Sequence, residues 1–590
     1  MTDDTSAVRR NPWPRRITLV VVCLLGLIVL AGAWVGIRGL MAKSELEALL
    51  PLAEPLKAAA ADRDLAAIDE LASEVQTHAG RAADLTGDPV WRAAEILPVV
   101  GPNLAAVRTL SAELDSMTSA AGPVLDLALE ASGGSEDGFD VGLLTSAREP
   151  LAAASVAFTD ADERLAAIDT DPLVGPVERG VDTIAGFAGE AAPVIASAAQ
   201  AAEVLPGMLG ADGRRSILVI LQNNAEVRTG GGLTGSFVLL GAEDGNVSMV
   251  AQADSTQFPQ TGSPILPVPE STTELYGEDV GGFVQNASMP ADFELTADLA
   301  RAWWTEYIGE EPDAVVSIDV PVIASLLAVS GPVILPDGSA ITSENLLDRM
   351  LVEPYMTLGS EEQTGFQRMV TTAALNGILM GDTDPIAWMH ALAEPIEEGR
   401  IAVWSAVPAE EAILSASTLG GPAVRHALSP GTTFAAYLND ATAAKMDSFL
   451  DVAFATGTAQ CRPDGLADIV VTATLTNTAP ADAGATWSEY MTGGGFGGFT
   501  PGDIATDVVI AAPPGSTVSE VRLNGELVLA ANVEDAGFPS SRARVTLSPG
   551  STGTLEFRFV AAEPGEQSVT LLHTPLMHKV DVGEAVVTCG

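Results

Sequence analysis

The sequence predicts an α+β multidomain membrane protein: an N-terminal transmembrane helix, a helical stalk or bundle, a central α/β domain and a C-terminal β-sandwich. Three observations carry this prediction. Residues 17–37 are a charge-free apolar run. Residues 44–210 repeat apolar side chains at helical spacing, as in Leu65, Ile68, Leu71, Ala72 and Val75. Beyond Ser216 short apolar runs alternate with Gly- and Pro-rich breaks, the pattern of strands. At 590 residues the chain exceeds what one hydrophobic core can hold.

The apolar run, Ile17 to Ile37, has 21 residues. At about 1.5 Å per residue it crosses a hydrocarbon core of about 30 Å. Arg9, Arg10, Arg15 and Arg16 precede it; Arg38 and Lys43 follow. The basic excess assigns residues 1–16 to the cytoplasm and the bulk of the chain to the outside, as a single-pass protein of the cell membrane. Trp13 and Trp34 sit where interfacial aromatics are found. The alternative is a cleaved signal peptide, with Ala31-Gly32-Ala33 as the peptidase site; export follows from both.

The chain has 29 basic and 78 acidic residues, a formal net charge of −49. Setting aside residues 1–43 leaves 23 basic and 76 acidic residues, or −53. Such a field excludes nucleic acid and anionic lipid as partners of the bulk of the protein, and any anionic ligand needs a local cation. Cys23 lies in the apolar run, whereas Cys461 and Cys589 bracket the last 130 residues and form one available pair in an oxidising compartment. Two unpaired buried thiols are the other reading.

In residues 214–455 the expected strands are Ile217–Leu221, Phe237–Leu240, Val247–Val250, Ala314–Ile318 and Pro332–Leu335, and the expected helices Ala297–Tyr307, Val320–Val329, Ser343–Leu351 and Gly365–Met380. Residues 461–590 read as all-β, with Asp468–Asn477, Asp507–Ala512, Val518–Leu523, Arg544–Leu547, Thr554–Val560 and Gln567–Leu572 at the spacing of an Ig-like β-sandwich.

The segment from Gln222 to Ser236 (QNNAEVRTGGGLTGS) carries the candidate chemistry. Gly230, Gly232 and Gly235 spell G-x-G-x-x-G, but a strand follows where a dinucleotide fold needs a helix, so the Rossmann reading fails on context. A nest of backbone N–H groups at Gly230, Gly231 and Gly232, with Arg228 as a fixed cation, suits an anion. The bland alternative pairs Arg228 with Glu226 and gives Asn223 and Asn224 to the backbone. The five histidines have no zinc-like spacing, and no H-E-x-x-H, P-loop or G-x-S-x-G motif is present. Trp303-Trp304 reads as helix packing, with sugar stacking the minority option.

The run ILVILQNNAEVRTGGGLTGSFVLL resembles the hallmark of the bacterial domain-of-unknown-function family 4012. Asn223, Asn224, Ala225, Glu226, Arg228, Gly230 and Gly231 match its pattern, with Thr229 in place of the usual Pro. Asp313–Asp319 with Gly331-Pro-Val333, Gly87–Trp91 with Leu97-Pro98, and Tyr437–Asp440 with Lys445-Met446 extend the likeness over most of residues 85–590. A looser likeness links the order strand, polar Arg loop, strand to the membrane-anchored LytR–CpsA–Psr phosphotransferases, which move glycopolymer from a polyprenyl pyrophosphate carrier onto peptidoglycan. Their later Arg-Asp motif would fall near Asp254-Ser255, where this chain has no Arg. That resemblance implies a pyrophosphate held by Asn223, Asn224, Arg228, the glycines and Ser236, with Asp254 or Glu226 on a divalent cation, Mg²⁺. The expected function is therefore a membrane-anchored envelope protein that binds or transfers lipid-linked glycopolymer. The alternative is a non-catalytic extracytoplasmic scaffold.

Overall fold

The computed structural model describes residues 13–61, 64–131, 139–380, 385–460, 462–565 and 567–587. The chain divides into two compact units, residues 1–133 with 142–203, and residues 134–141 with 204–590.

The first unit is helical. Helix α1 (Trp13–Ala61) runs unbroken through the apolar segment and on into the bundle, and is one helix long and apolar enough to cross a membrane. It is followed by α2 (Leu65–Thr86), the short α3 (Pro89–Ala94), α4 (Gly101–Ala131), α5 (Val141–Ala166) and α6 (Gly175–Met208). Asp64 caps α2 and Asp88 caps α3, each accepting from the first-turn backbone. Cross-links fix the directions. Arg38 donates to Asp88 (2.8 Å), and His78 meets Glu45 (2.6 Å), so α2 returns along α1. Arg164 of α5 donates to Glu113 of α4 (3.1 Å), and Arg148 donates to the Ala202 carbonyl near the far end of α6 (3.1 Å). Leu110, Leu114, Met117, Phe158, Leu165 and Ala188 fill the bundle core, as the helical spacing predicts.

The second unit begins with β1 (Arg215–Asn223), β2 (Leu233–Glu243) and β3 (Asn246–Asp254), then α7 (Glu270–Tyr276), α8 (Phe293–Tyr307), β4 (Ala314–Asp319), α9 (Val320–Ser330), a ribbon of β5 (Val333–Ile334) and β6 (Ala340–Ile341), α10 (Leu346–Leu351), α11 (Glu353–Thr357) and α12 (Ser360–Met380). After α13 (Pro385–Glu397) comes β7 (Ala402–Ser405). The mixed sheet has the order β3-β2-β1-β4-β7; only β1 and β4 run parallel. Being central, β1 is buried along nearly its whole length, which explains its wholly apolar ILVIL run. Every strand and helix expected up to Met380 has a counterpart, most of them longer than the apolar runs that signalled them; α7, β6, α11, α13 and the short β7 were not foreseen.

The all-β part starts earlier than the expected residue 461. Strands β8 (Thr432–Asp440) and β9 (Leu450–Ala459) already belong to it, followed by β10 (Leu466–Asn477), β11 (Ile504–Ala511), β12 (Thr517–Leu523), β13 (Glu526–Leu527), β14 (Ala531–Asp535), β15 (Phe538–Leu547), β16 (Thr552–Pro564), β17 (Val569–His573) and β18 (Asp581–Glu584). They form two sheets, β13-β12-β16-β10-β9-β18 and β14-β15-β11-β8-β17. Phe434 on β8 meets Phe559 on β16 across the interior, ring centroids 5.1 Å apart. The boundary moves because β8 is the central partner of both β11 and β17, so the second sheet needs it.

Candidate functional site

Strand register gathers the candidate residues at one end of the mixed sheet. Leu221 and Asn223 of β1 stand opposite Ser236 and Leu233 of β2, Ser236 stands opposite Asp254 at the end of β3, and Gln222 stands opposite Asp319 on β4. The Asn223–Ser236 loop closes over that end. Its turn depends on glycine: Gly231 has φ +111°, and a Cβ on Gly232 would lie 2.3 Å from the Asn223 carbonyl oxygen.

The loop does not form the open anion nest expected of it. Arg228 is only 5% exposed. Its guanidinium donates to Glu226 (2.8 Å), to the Asn286 side chain (3.1 Å) and to the Val227 carbonyl (2.9 Å). Glu226 also takes the ammonium of buried Lys445. Asn224 donates to the Gly231 carbonyl (3.0 Å) and to Asp319 (2.9 Å), whose carboxylate also pairs with Arg400 (2.7 Å). The Val227 N–H donates to Asp447 (2.7 Å), the Asp440 N–H donates back to the Val227 carbonyl (2.9 Å), and Thr229 and Asn439 exchange two hydrogen bonds. These contacts strap the loop to β8 and the turn after it. They commit the very groups that would have met a phosphate. Burial is the reason: a guanidinium in a low-dielectric interior must be paired internally.

This cluster titrates. Burial, then the nearby Glu226 charge, pushes the Asp440 carboxyl up to about 6. Burial and Asp440 push Asp447 well above the usual carboxylate range. Burial also opposes ionisation of Glu226, but Lys445 and Arg228 outweigh it and hold that group below its ordinary value. Between an unfolded value of 3.8 and about 6, folded Asp440 keeps a proton that the unfolded chain has lost, so stability falls as pH rises through that window. Glu226 acts oppositely: its contribution is present above an unfolded value of 4.5 and is lost as pH falls through its lowered folded value. The urea midpoint is therefore expected to be higher near pH 4.5 than near pH 7.5, with the difference shrinking in Asp440→Asn. An unchanged difference in that variant would remove Asp440 from the account.

On the other side of the loop lies a solvent-open pocket with a cavity of about 50 Å³. Of the nine residues expected to hold a ligand, Asn223, Ser236 and Asp254 line it; Asn224, Glu226, Arg228, Gly230, Gly231 and Gly232 do not. Gly230 lines a separate small cavity beside Arg400. The pocket's remaining walls come from segments distant in sequence. Arg368 of α12 pairs with Asp254, and Thr372 donates to Gln252 (2.8 Å). Tyr355 accepts from Gln367 (2.8 Å) and stacks on Tyr490, centroids 5.8 Å apart and planes 28° from parallel. Lys445 reaches the pocket as well. Sequence reasoning missed Arg368, Gln367, Tyr355 and Tyr490. It noted no Arg next to Asp254 in the chain; the fold brings one from 114 residues away.

The expected Mg²⁺ does not suit this donor set. Among the described residues Asp254 is the one carboxylate lining the pocket, and it is already engaged by Arg368 and Thr256. Among the described residues no three His, Cys, Asp or Glu side chains converge. Trp303 and Trp304 are fully buried against Phe258 and Phe237, which removes them as a sugar platform.

Fold and pocket together define a class: a mixed α/β protein with one N-terminal helix apolar enough to span a membrane and a polar, tyrosine-lined pocket at the end of its sheet. Residues 212–355 match the family described as "Protein of unknown function (DUF4012)". The match runs from β1 into α11, including the loop and Asp254, and stops short of Arg368 and Lys445. No curated protein matches the chain.

Proposed function

We propose that this is a single-pass cell-envelope protein, N-terminus in the cytoplasm and bulk outside, whose pocket binds the carbohydrate and diphosphate end of a lipid-linked glycopolymer. One observation carries the reading: stacked Tyr355 and Tyr490, the side chains of Asn223, Gln252 and Gln367, and the half-exposed cation Arg368 converge on one cavity. Flat aromatic faces suit the apolar faces of sugar rings, amides suit hydroxyls, and a half-exposed Arg suits phosphate oxygens. Arg368 takes the role first expected of Arg228, whose donors are spent inside the fold. Binding, without turnover, is what these groups support.

Titration calorimetry of the full chain in nanodiscs tests this with two probes, undecaprenyl diphosphate and a soluble envelope oligosaccharide. Arg368→Ala is expected to weaken the diphosphate about tenfold or more, since a hydrogen bond to a charged group contributes ~1.5–3 kcal/mol. Tyr490→Ala should weaken the oligosaccharide and spare the diphosphate. Absence of heat with both probes at millimolar concentration in the unsubstituted chain would sink the proposal. It would favour instead the non-catalytic scaffold, which the strapping of the loop to β8 also suits.

The same extracytoplasmic reading includes an Ig-like character for the two C-terminal sheets and a Cys461–Cys589 disulfide. Both cysteines lie outside the described residues. Alkylation without reductant is expected to modify one thiol per exported chain, Cys23, and three after reduction; three without reduction would refute the pair.

A further inference from the structure

One end of the helical unit carries an apolar tip that the fold leaves uncovered. Arg38, the first charge after the apolar run, donates to Asp88 and to the carbonyls of Asp84 and Leu85. Trp91 of α3 packs on Gly39, where a Cβ would lie 3.6 Å from its ring. The end of α2 and all of α3 therefore sit level with the point where α1 leaves the apolar segment. Trp91 donates to the Leu104 carbonyl (3.0 Å), so the start of α4 is at that level too. Asn103 donates to the carbonyls of Val99 (3.1 Å) and Pro172 (3.3 Å) and accepts from the Val174 N–H (2.8 Å), adding the α5–α6 connection.

At this end the sequence Ile96-Leu-Pro-Val-Val100 joins α3 to α4 without a charge. Ile96 is 84% and Val99 81% exposed; Leu97, Val100 and Val174 are each more than half exposed. Glu95, beside the tip, is neutralised by Arg108 (2.6 Å). Val99 holds φ +69°, a conformation that a β-branched residue adopts only under constraint. Here Asn103 grips its carbonyl, and the result turns the valine outward. Clustered apolar side chains at a fixed level mark an interaction surface.

We propose that residues 96–100, with Val174, insert into the interfacial layer of the same bilayer that α1 spans, giving the helical unit a second membrane contact. The inference rests on the reading of α1 as a membrane anchor. It commits to lipid because the tip lies at the level where the apolar run ends, and apolar side chains at that depth bury themselves at the headgroup boundary. Exposed Asp169 and Asp171 on the neighbouring connection argue against attraction to anionic headgroups. The contact is therefore apolar and insensitive to salt.

The test uses the full chain with Cys23→Ser in nanodiscs, an environment-sensitive dye on Ile96→Cys, Leu30→Cys or Leu50→Cys in turn, and the signal of the Cys23→Ser parent subtracted. Nitroxide-labelled phosphatidylcholine is the quencher. Leu30 lies within the anchor, and Leu50 is exposed on α1 about 20 Å beyond Ile37. Ile96 is expected to show a blue shift and to be quenched by the shallow nitroxide, Leu30 by the deep one and Leu50 by neither. Quenching at Leu30 without quenching at Ile96 overturns the proposal and leaves the anchor intact. A blue shift at Ile96 without quenching does the same, and assigns the tip to a protein partner or a second copy. No quenching at Leu30 removes the anchor and this inference with it.

Discussion

Replacing Glu226 with glutamine is expected to cost about 3–5 kcal/mol of stability, the usual effect of removing one member of a buried ion pair. Glu226 is 3% exposed and carries two cations, Arg228 and Lys445, both buried. Glutamine keeps the shape and loses the charge, leaving two like charges facing each other in a medium that screens them poorly. Further Lys445→Met substitution should recover part of the loss, because one unpaired cation is gone; the double variant then falls short of the sum of the singles. Urea denaturation followed by tryptophan fluorescence reads both effects. A loss under about 1 kcal/mol for Glu226→Gln would mean that Asp440 and Asp447 compensate the cations and that the triad is not what holds the loop to β8.

Trp304→Ala is expected to cost a similar ~3–5 kcal/mol, from lost transfer energy and the cavity left behind. Helix α8 exists to deliver this residue. Asp292 caps it by accepting from the Glu294 N–H (3.0 Å), and its inward face buries Leu295, Leu299, Ala300, Trp303 and Trp304. Trp304 meets Phe237 of β2 at 6.5 Å between centroids, and Trp303 stacks on Tyr307 at 5.4 Å. A lower urea midpoint with an unchanged slope is the expected signature. Oligosaccharide affinity under conditions where the variant remains folded should be unaltered. A stable variant with impaired sugar binding would return the Trp pair to the role of a ligand platform.

Elements whose cues lie within a few residues were legible in the sequence. The ILVIL run of β1 and the helical spacing of α2 are local statements about which side chains leave water. The strands β8 and β9, which no expectation covered, and the undetected β7 show the limit. β7 is four residues long, too short for periodicity to register. β8 (TTFAAYLND) is buried at nearly every position, so it shows no alternation that would announce a sandwich strand. The candidate loop was found by its composition, yet composition could not tell an open nest from a strapped one. Lys445 is 219 residues from Glu226, and only the packing of β8 against the loop brings them together.

By itself, then, the sequence determined the apolar helix, the helical region, several strands of the central domain and the position of the unusual loop, because each follows from short-range spacing of apolar, glycine and proline residues. Tertiary structure alone decided which arginine lines the pocket. Arg228 and Arg368 have the same side chain, but the first closes against Glu226 in the interior while the second reaches Asp254 at the surface. Desolvation makes the difference: a charge taken out of water must be matched within the protein, and one left half in water is also satisfied by solvent.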